Sequence, residues 1–128
     1  MLDTLTTIHD VQVLVCAPNG QKLKSERDAL DLIGEAMQDS AELILLPVER
    51  LDDDFFQLKT RLAGQIIQKC VTYKRRLVIL GDISQHIAQS RALRDFVYES
   101  NRGNHVWFIT DLQELSERLK RIQQHGLR

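Results

Sequence analysis

The sequence predicts an α/β fold, a single domain over residues 1–128 built on a mixed, mostly parallel sheet of about five strands covered by four helices. Three observations lead there. Apolar runs rich in β-branched residues recur along the chain as VQVLVCA, LILLPV, LVILGD and HVWFIT. Runs of this kind suit strands covered on both faces. The segments between them carry apolar residues at spacings of three and four, the period of a helix with one buried face. Alternation of the two implies right-handed crossovers between parallel strands, with helices laid over the sheet.

The first strand is expected at Val11–Ala17 and ends in Pro18-Asn19-Gly20. Asn-Gly favours positive φ at both central positions of a tight turn, so a hairpin into Gln21–Lys24 is expected. Ser25 then caps a helix, with Asp28 three residues on at the place of a capping-box acceptor. Its inner face reads Ala29, Leu30, Ile33, Ala36 and Met37.

Leu43–Val48 is a strand in which Pro47, lacking an N–H, ends regular pairing. From Phe55 the period becomes helical: Phe55, Leu58, Leu62, Ala63, Ile66, Ile67 and Cys70 share one face. Leu77–Asp82 is the next strand, followed by the polar joint ISQHIAQS. A helix near Arg91–Ser100 buries Leu93, Phe96 and Val97, and Gly103 stands where a left-handed C-cap would fall. After the strand HVWFIT, Asp111 with Glu114 opens a last helix carrying Leu112, Leu115, Leu119 and Ile122. The resulting order is β-β-α-β-α-β-α-β-α.

Composition narrows the functional classes. Apolar residues are 43% and charged residues 27% of the 128, ordinary for a folded soluble protein. The formal net charge of −1 gives no overall attraction to nucleic acid or anionic membrane. No basic stripe interleaves with the few aromatics, so no nucleic-acid platform is expected. No apolar run approaches the ~20 residues of a membrane span. The start MLDTLTTIHDVQVLV lacks the basic, apolar and small-residue regions of a secretory signal. Cys16 and Cys70 stand alone in apolar segments and read as reduced core thiols. A cytoplasmic protein is expected.

In an open parallel sheet, ligands bind beyond the carboxyl ends of the strands. Asp52–Asp54, Asp82 and Asp111 all follow strands and would lie on that rim, where grouped carboxylates suit Mg²⁺. Asp53 or Asp54, and Asp111, also stand where helix N-caps fall, and a carboxylate there satisfies orphan N–H groups and the helix dipole. Capping is the stronger reading, and no metal, cofactor or catalytic residue is assigned. Asp82, Ser84 and His86 are close in sequence, yet no nucleophile elbow accompanies them. His9, His105 and His125 lack metal-ligand spacing. Phosphate-binding glycine motifs are absent. Asn101 and Arg102, in ESNRG, would face a ligand or simply end a helix. Lys74-Arg75-Arg76 reads as a solvated turn. Within the helix expected from Phe55, Lys59 points along the apolar stripe and Arg61 points away from it.

DDFFQLKTRLAGQIIQKCVTY, LVILGD, ALRDFVYESNRG and VWFI resemble the bacterial domain-of-unknown-function family four-one-eight-zero over residues 25–120. Its members often carry glycine where Arg61 stands. The element order is also similar to the STAS fold of sulfate transporters and anti-sigma-factor antagonists. The antagonists are switched by phosphorylation of a serine or threonine at the start of the second helix. Here that region reads Leu51-Asp52-Asp53-Asp54-Phe55, with no hydroxyl, and alternating receiver domains are excluded because their acidic pair and final lysine are missing.

The expectation is a non-catalytic, STAS-like interaction module with an unknown protein partner, contacted through Asp52, Asp53, Asp54, Lys59 and Arg61. The alternative is a small enzyme or ligand-binding or Mg-binding protein using Asp54, Lys59, Asp82, Asn101 and Arg102. A homo-oligomer is a third possibility.

Overall fold

Two consecutive residues of positive φ, His9 (48°) and Asp10 (69°), reverse the chain near its start. They form a two-residue turn of the kind whose twist suits a hairpin. It joins β1 (Thr4–Ile8) to β2 (Val11–Val15), antiparallel with Leu5 opposite Leu14. The expected hairpin therefore lies before β2, not after it. Pro18-Asn19-Gly20 makes a loop, and Leu23 contributes only an isolated bridge to Leu51.

The computed structural model describes residues 3–124, so His125 lies outside the described residues. The remaining elements are α1 (Glu26–Gln38), β3 (Leu43–Pro47), α2 (Leu62–Thr72), β4 (Arg76–Leu80), α3 (Ser84–Gln89), α4 (Arg91–Arg102), β5 (Val106–Ile109) and α5 (Leu112–Gln124). The polar joint after β4 is thus a short fifth helix. Three short 3₁₀ turns, Val48–Arg50, Asp53–Phe56 and Leu58–Thr60, fill the space between β3 and α2.

The sheet order is β1-β2-β3-β4-β5, with every pair after the first parallel. Each crossover steps one strand in the same direction. With one hand of crossover, the intervening helices must fall on one face. The core agrees. Leu14, Ile44, Leu46, Leu77, Ile79 and Phe108 meet α1, α2 and α4, whereas Val13, Leu43, Leu45, Val78, Trp107 and Ile109 meet Leu115 and Leu119 of α5. Alternate residues of each strand thus serve opposite faces, which is why the strands read as unbroken apolar runs.

The caps are largely where the residues place them. Ser25 Oγ accepts from the Asp28 N–H at 3.2 Å, and Asp111 accepts from the Glu114 N–H at 2.9 Å. Glu114 returns to the Thr110 N–H at 3.2 Å. Two inner faces are rotated from expectation: Leu32 is buried in α1 while Met37 is exposed, and Leu112 of α5 is exposed. Gly103 ends α4 in extended backbone (φ −94°, ψ −164°) rather than in a left-handed cap.

Candidate functional site

At the carboxyl ends of the strands the chain runs through residues 48–61 in short turns and irregular structure, and each turn has a cause. Pro47 ends β3. Arg50 then turns inward and is only 6% exposed. Its Nε donates to the Gln21 carbonyl at 2.6 Å, and Nη1 donates to the Ala17 carbonyl at 3.0 Å and to Asp3 Oδ1 at 3.3 Å. Asp3 also accepts the Ala17 N–H at 2.9 Å. This guanidinium staples the N-terminus and the 17–21 loop to the rim. A Cβ on Gly20 would meet Arg50 Nη1 at 2.6 Å, so the loop approaches that closely only with glycine there.

Asp52 caps the second 3₁₀ turn, accepting the Asp54 N–H at 3.2 Å. Phe55 and Phe56 are both buried, their rings edge to face at 5.2 Å. Phe55 reaches Phe108, while Phe56 stacks on His86 of α3 at 4.1 Å and 11°. The single Thr60 hydroxyl proton is shared between the Asp54 carbonyl, with Oγ1 at 2.7 Å, and the Gln57 carbonyl, at 2.9 Å, and Oγ1 accepts the Leu62 N–H at 3.3 Å. Arg61 follows with φ 68° and ψ 4°, in the left-handed region.

The helix expected from Phe55 therefore begins only at Leu62. The apolar period misleads because the left-handed residue at 61 resets the helical phase. In consequence Lys59 belongs to no helical stripe, and the start of this helix does carry a hydroxyl, that of Thr60.

The five residues expected at a partner surface lie along this one segment. Asp53, Asp54, Lys59 and Arg61 are exposed, Asp52 half-buried. Among the described residues, none of the four exposed side chains enters an ion pair. Asp53, Phe56 and Lys59, with His86, Gln89 and Ser90, line a groove of about 550 Å³.

The residues of the alternative ligand site are not gathered together. Only Lys59 lines this groove. Asp82 is exposed and accepts the Ser84 N–H at 2.9 Å, a bond that, with the Ser84 hydroxyl, lowers its pKa. Asn101 Oδ1 accepts the Phe108 N–H of edge strand β5 at 2.6 Å, and its carbonyl accepts from Arg118 at 2.6 Å. Arg102 lies over Tyr98 at 5.6 Å and within 4.0 Å of Glu99. Among the described residues, no three His, Cys, Asp or Glu side chains come together to hold a metal. There is a topological reason. A sheet ordered 1-2-3-4-5 has no point where its crossovers reverse direction, and that reversal is what opens a crevice in doubly wound sheets.

Two features escape sequence reasoning. Arg50 is one; its partners are at positions 3, 17 and 21, which no local pattern connects to it. The other is Trp107, whose Nε1 donates to the Gly103 carbonyl at 2.8 Å between the guanidinium groups of Arg118 (4.1 Å) and Arg76 (4.8 Å). Both cysteines are buried, and burial pushes each thiol up to about 12, far from the thiolate form that reacts.

Fold and site together define a singly wound α/β protein with an irregular, charged segment at the carboxyl rim. A model of the family described as Domain of unknown function (DUF4180) matches residues 8–119, and the chain belongs to that family. The match extends further toward the N-terminus than the resemblance read from the sequence and takes in β2. No curated protein and no solved structure matches the chain.

Proposed function

We propose that the protein is a non-catalytic, cytoplasmic interaction module of STAS-like type, which offers Asp52–Arg61 to a protein partner. The observation that carries this reading is the pairing of a fixed backbone with unengaged charge. Phe55, Phe56 and the Thr60 bonds hold the segment, while Asp53, Asp54, Lys59 and Arg61 face outward with no ion-pair partner among the described residues. Charges held in fixed geometry set specificity and association rate at an interface while adding little to folding stability. The order of strands and helices supports the STAS-like part of the reading, and no helix among the described residues is long and apolar enough to cross a membrane.

The test is a double reversal, Asp53→Lys with Lys59→Glu. Both residues are exposed and neither caps a helix. The melting temperature should stay within a few degrees of wild type. Proteins captured from extract by the wild-type chain should be lost to the double variant. An unchanged set would remove this surface from consideration.

The groove gives a second reading, a small-molecule site. Its volume of about 550 Å³ falls within the range of ligand pockets. A ligand there would shift the melting temperature of the purified chain without any protein partner.

A further inference from the structure

The opposite end of the sheet is built differently. Helix α2 closes on Lys74, whose φ of 57° is left-handed. The Lys74 N–H reaches the Val71 carbonyl at 3.1 Å and the Arg75 N–H reaches the Cys70 carbonyl at 2.8 Å. These backbone bonds satisfy the last carbonyls of the helix. The last carbonyls therefore do not depend on side-chain caps, and Arg75 Nη1 makes a local bond to the Lys74 carbonyl at 3.2 Å.

All three cations line a cleft of about 280 Å³ over the amino ends of the parallel strands. Val11, Leu43, Val71, Leu119 and Ile122 supply apolar wall. Among the described lining residues are three cations and one acid, Glu42, which also approaches the Gln12 N–H at 3.5 Å. Arg76 is fixed, its Nε donating to the Asn104 carbonyl at 3.0 Å with its guanidinium over Trp107. Arg75 differs. Its Nε is shielded from solvent and has no hydrogen-bond partner among the described residues. A desolvated charged donor without an acceptor is a cost that folded proteins rarely leave standing.

We infer that this cleft, at the pole opposite the Asp52–Arg61 segment and independent of the function proposed for it, binds a small amphiphilic anion: an apolar body carrying one carboxylate. Arg75 lines the cleft, and a turn of its side chain toward a carboxylate there would give the shielded Nε the acceptor it lacks and present the planar guanidinium fork that a carboxylate matches. The walls explain why the ligand is not a bare oxyanion. A strongly hydrated ion gains nothing against Val71 and Ile122, the apolar wall residues that keep part of their surface exposed, whereas a short hydrocarbon body buries that surface. The volume, at the lower end of the ~300–1,000 Å³ range of ligand sites, limits that body to a small one.

The experiment titrates the full chain by calorimetry with hexanoate, hexanol and inorganic phosphate. Hexanoate should bind saturably, with Kd below about 1 mM. Hexanol, which has the body without the charge, and phosphate, which has charge without the body, should each bind at least tenfold more weakly. Arg75→Met keeps the side-chain stem and should weaken hexanoate at least tenfold, with the melting temperature of the free protein within a few degrees of wild type. Should that variant not fold, Val71→Glu places a carboxylate on the half-buried wall and should lose hexanoate to the same extent. No hexanoate binding by wild type, equal binding of hexanol or phosphate, or hexanoate affinity unchanged in a folded variant would each overturn the assignment.

Discussion

Arg50 and Arg61 bracket the same stretch of rim and do opposite things. Arg50 is buried, and its guanidinium bonds to Gln21, Ala17 and Asp3, each distant in sequence. Arg61 is exposed, sits in left-handed backbone, and forms no ion pair among the described residues. One charge is consumed by the fold, while the other is borne by a residue whose conformation the fold imposes. The difference shows that charge on a rim has to be sorted by what it touches before any of it is assigned to a partner. The segment between the two arginines separates in the same way, with Asp52 capping inward and Asp53 facing out.

The largest effect expected from breaking this comparison is at Arg50. Arg50→Met keeps much of the side-chain volume but leaves Asp3, only 9% exposed in its side chain, without its cation and two carbonyls without their donor. Removing one partner of a buried pair costs about 3–5 kcal/mol. Urea denaturation should show a loss of that size. A loss below about 1 kcal/mol would mean that the pair behaves as a screened surface contact.

Asn101 comes next, and it sharpens the distinction because it too stood among the ligand candidates. Its Oδ1 takes the Phe108 N–H on the open edge of β5. Asn101→Ala leaves that buried donor unmatched, at a cost of about 1–3 kcal/mol. Asn101→Asp, which keeps the acceptor, should recover most of it. Full stability in the alanine variant, measured by the same denaturation, would return Asn101 to the list of residues free for a ligand.

These two residues show where the sequence is informative and where it falls silent. Strands covered on both faces are legible, so LILLP at the centre and VWFI at the edge both bury every residue. The edge strand Thr4–Ile8 is almost wholly exposed and shows no alternation, so nothing but β-propensity marks it. Two turn signals competed, and the hairpin formed at His9-Asp10, whose two left-handed residues suit the tight turn, while Asn19-Gly20 lies in a loop packed against Arg50. Strand order was open, since apolar runs reveal covered faces but not neighbours. At the candidate site, Asp52 caps a 3₁₀ turn, whereas Asp53 or Asp54 was expected to cap the long helix; the Asp111 cap was legible from local spacing. The late start of α2 was not: Phe55, Leu58 and Leu62 fit a helical period that the left-handed residue at 61 interrupts. The Arg50 staple was invisible because all its contacts are long-range.

Arg61 itself gives a smaller effect with the opposite sign. A residue bearing Cβ pays about 1–2 kcal/mol in left-handed backbone, against which glycine loses some conformational entropy on folding. Arg61→Gly should therefore stabilise the protein by about 0.5–1 kcal/mol. Arg61→Val, β-branched, should destabilise it. If glycine lowers stability instead, the Arg61 side chain makes a stabilising contact in solution.

The smallest effect expected on the rim is at Asp82, which is exposed and holds only the turn into the short helix α3. Its carboxylate accepts the Ser84 N–H, and hydrogen bonds from Ser84 hold its pKa below the ordinary 3.8. The sign follows from linkage. A carboxyl that is harder to protonate when folded stabilises the native state above its unfolded pKa, and that contribution disappears as pH falls through the lower folded value. Wild type and Asp82→Ala should therefore differ by a small, constant margin in melting temperature from pH 7 down to about pH 5. The margin should shrink below about pH 4 and be gone once the folded carboxyl is protonated. Melts of both proteins across that range check it. A margin that persists in acid would show that Asp82 acts through something other than its charge, and a margin that grows in acid would reverse the order of the two pKa values.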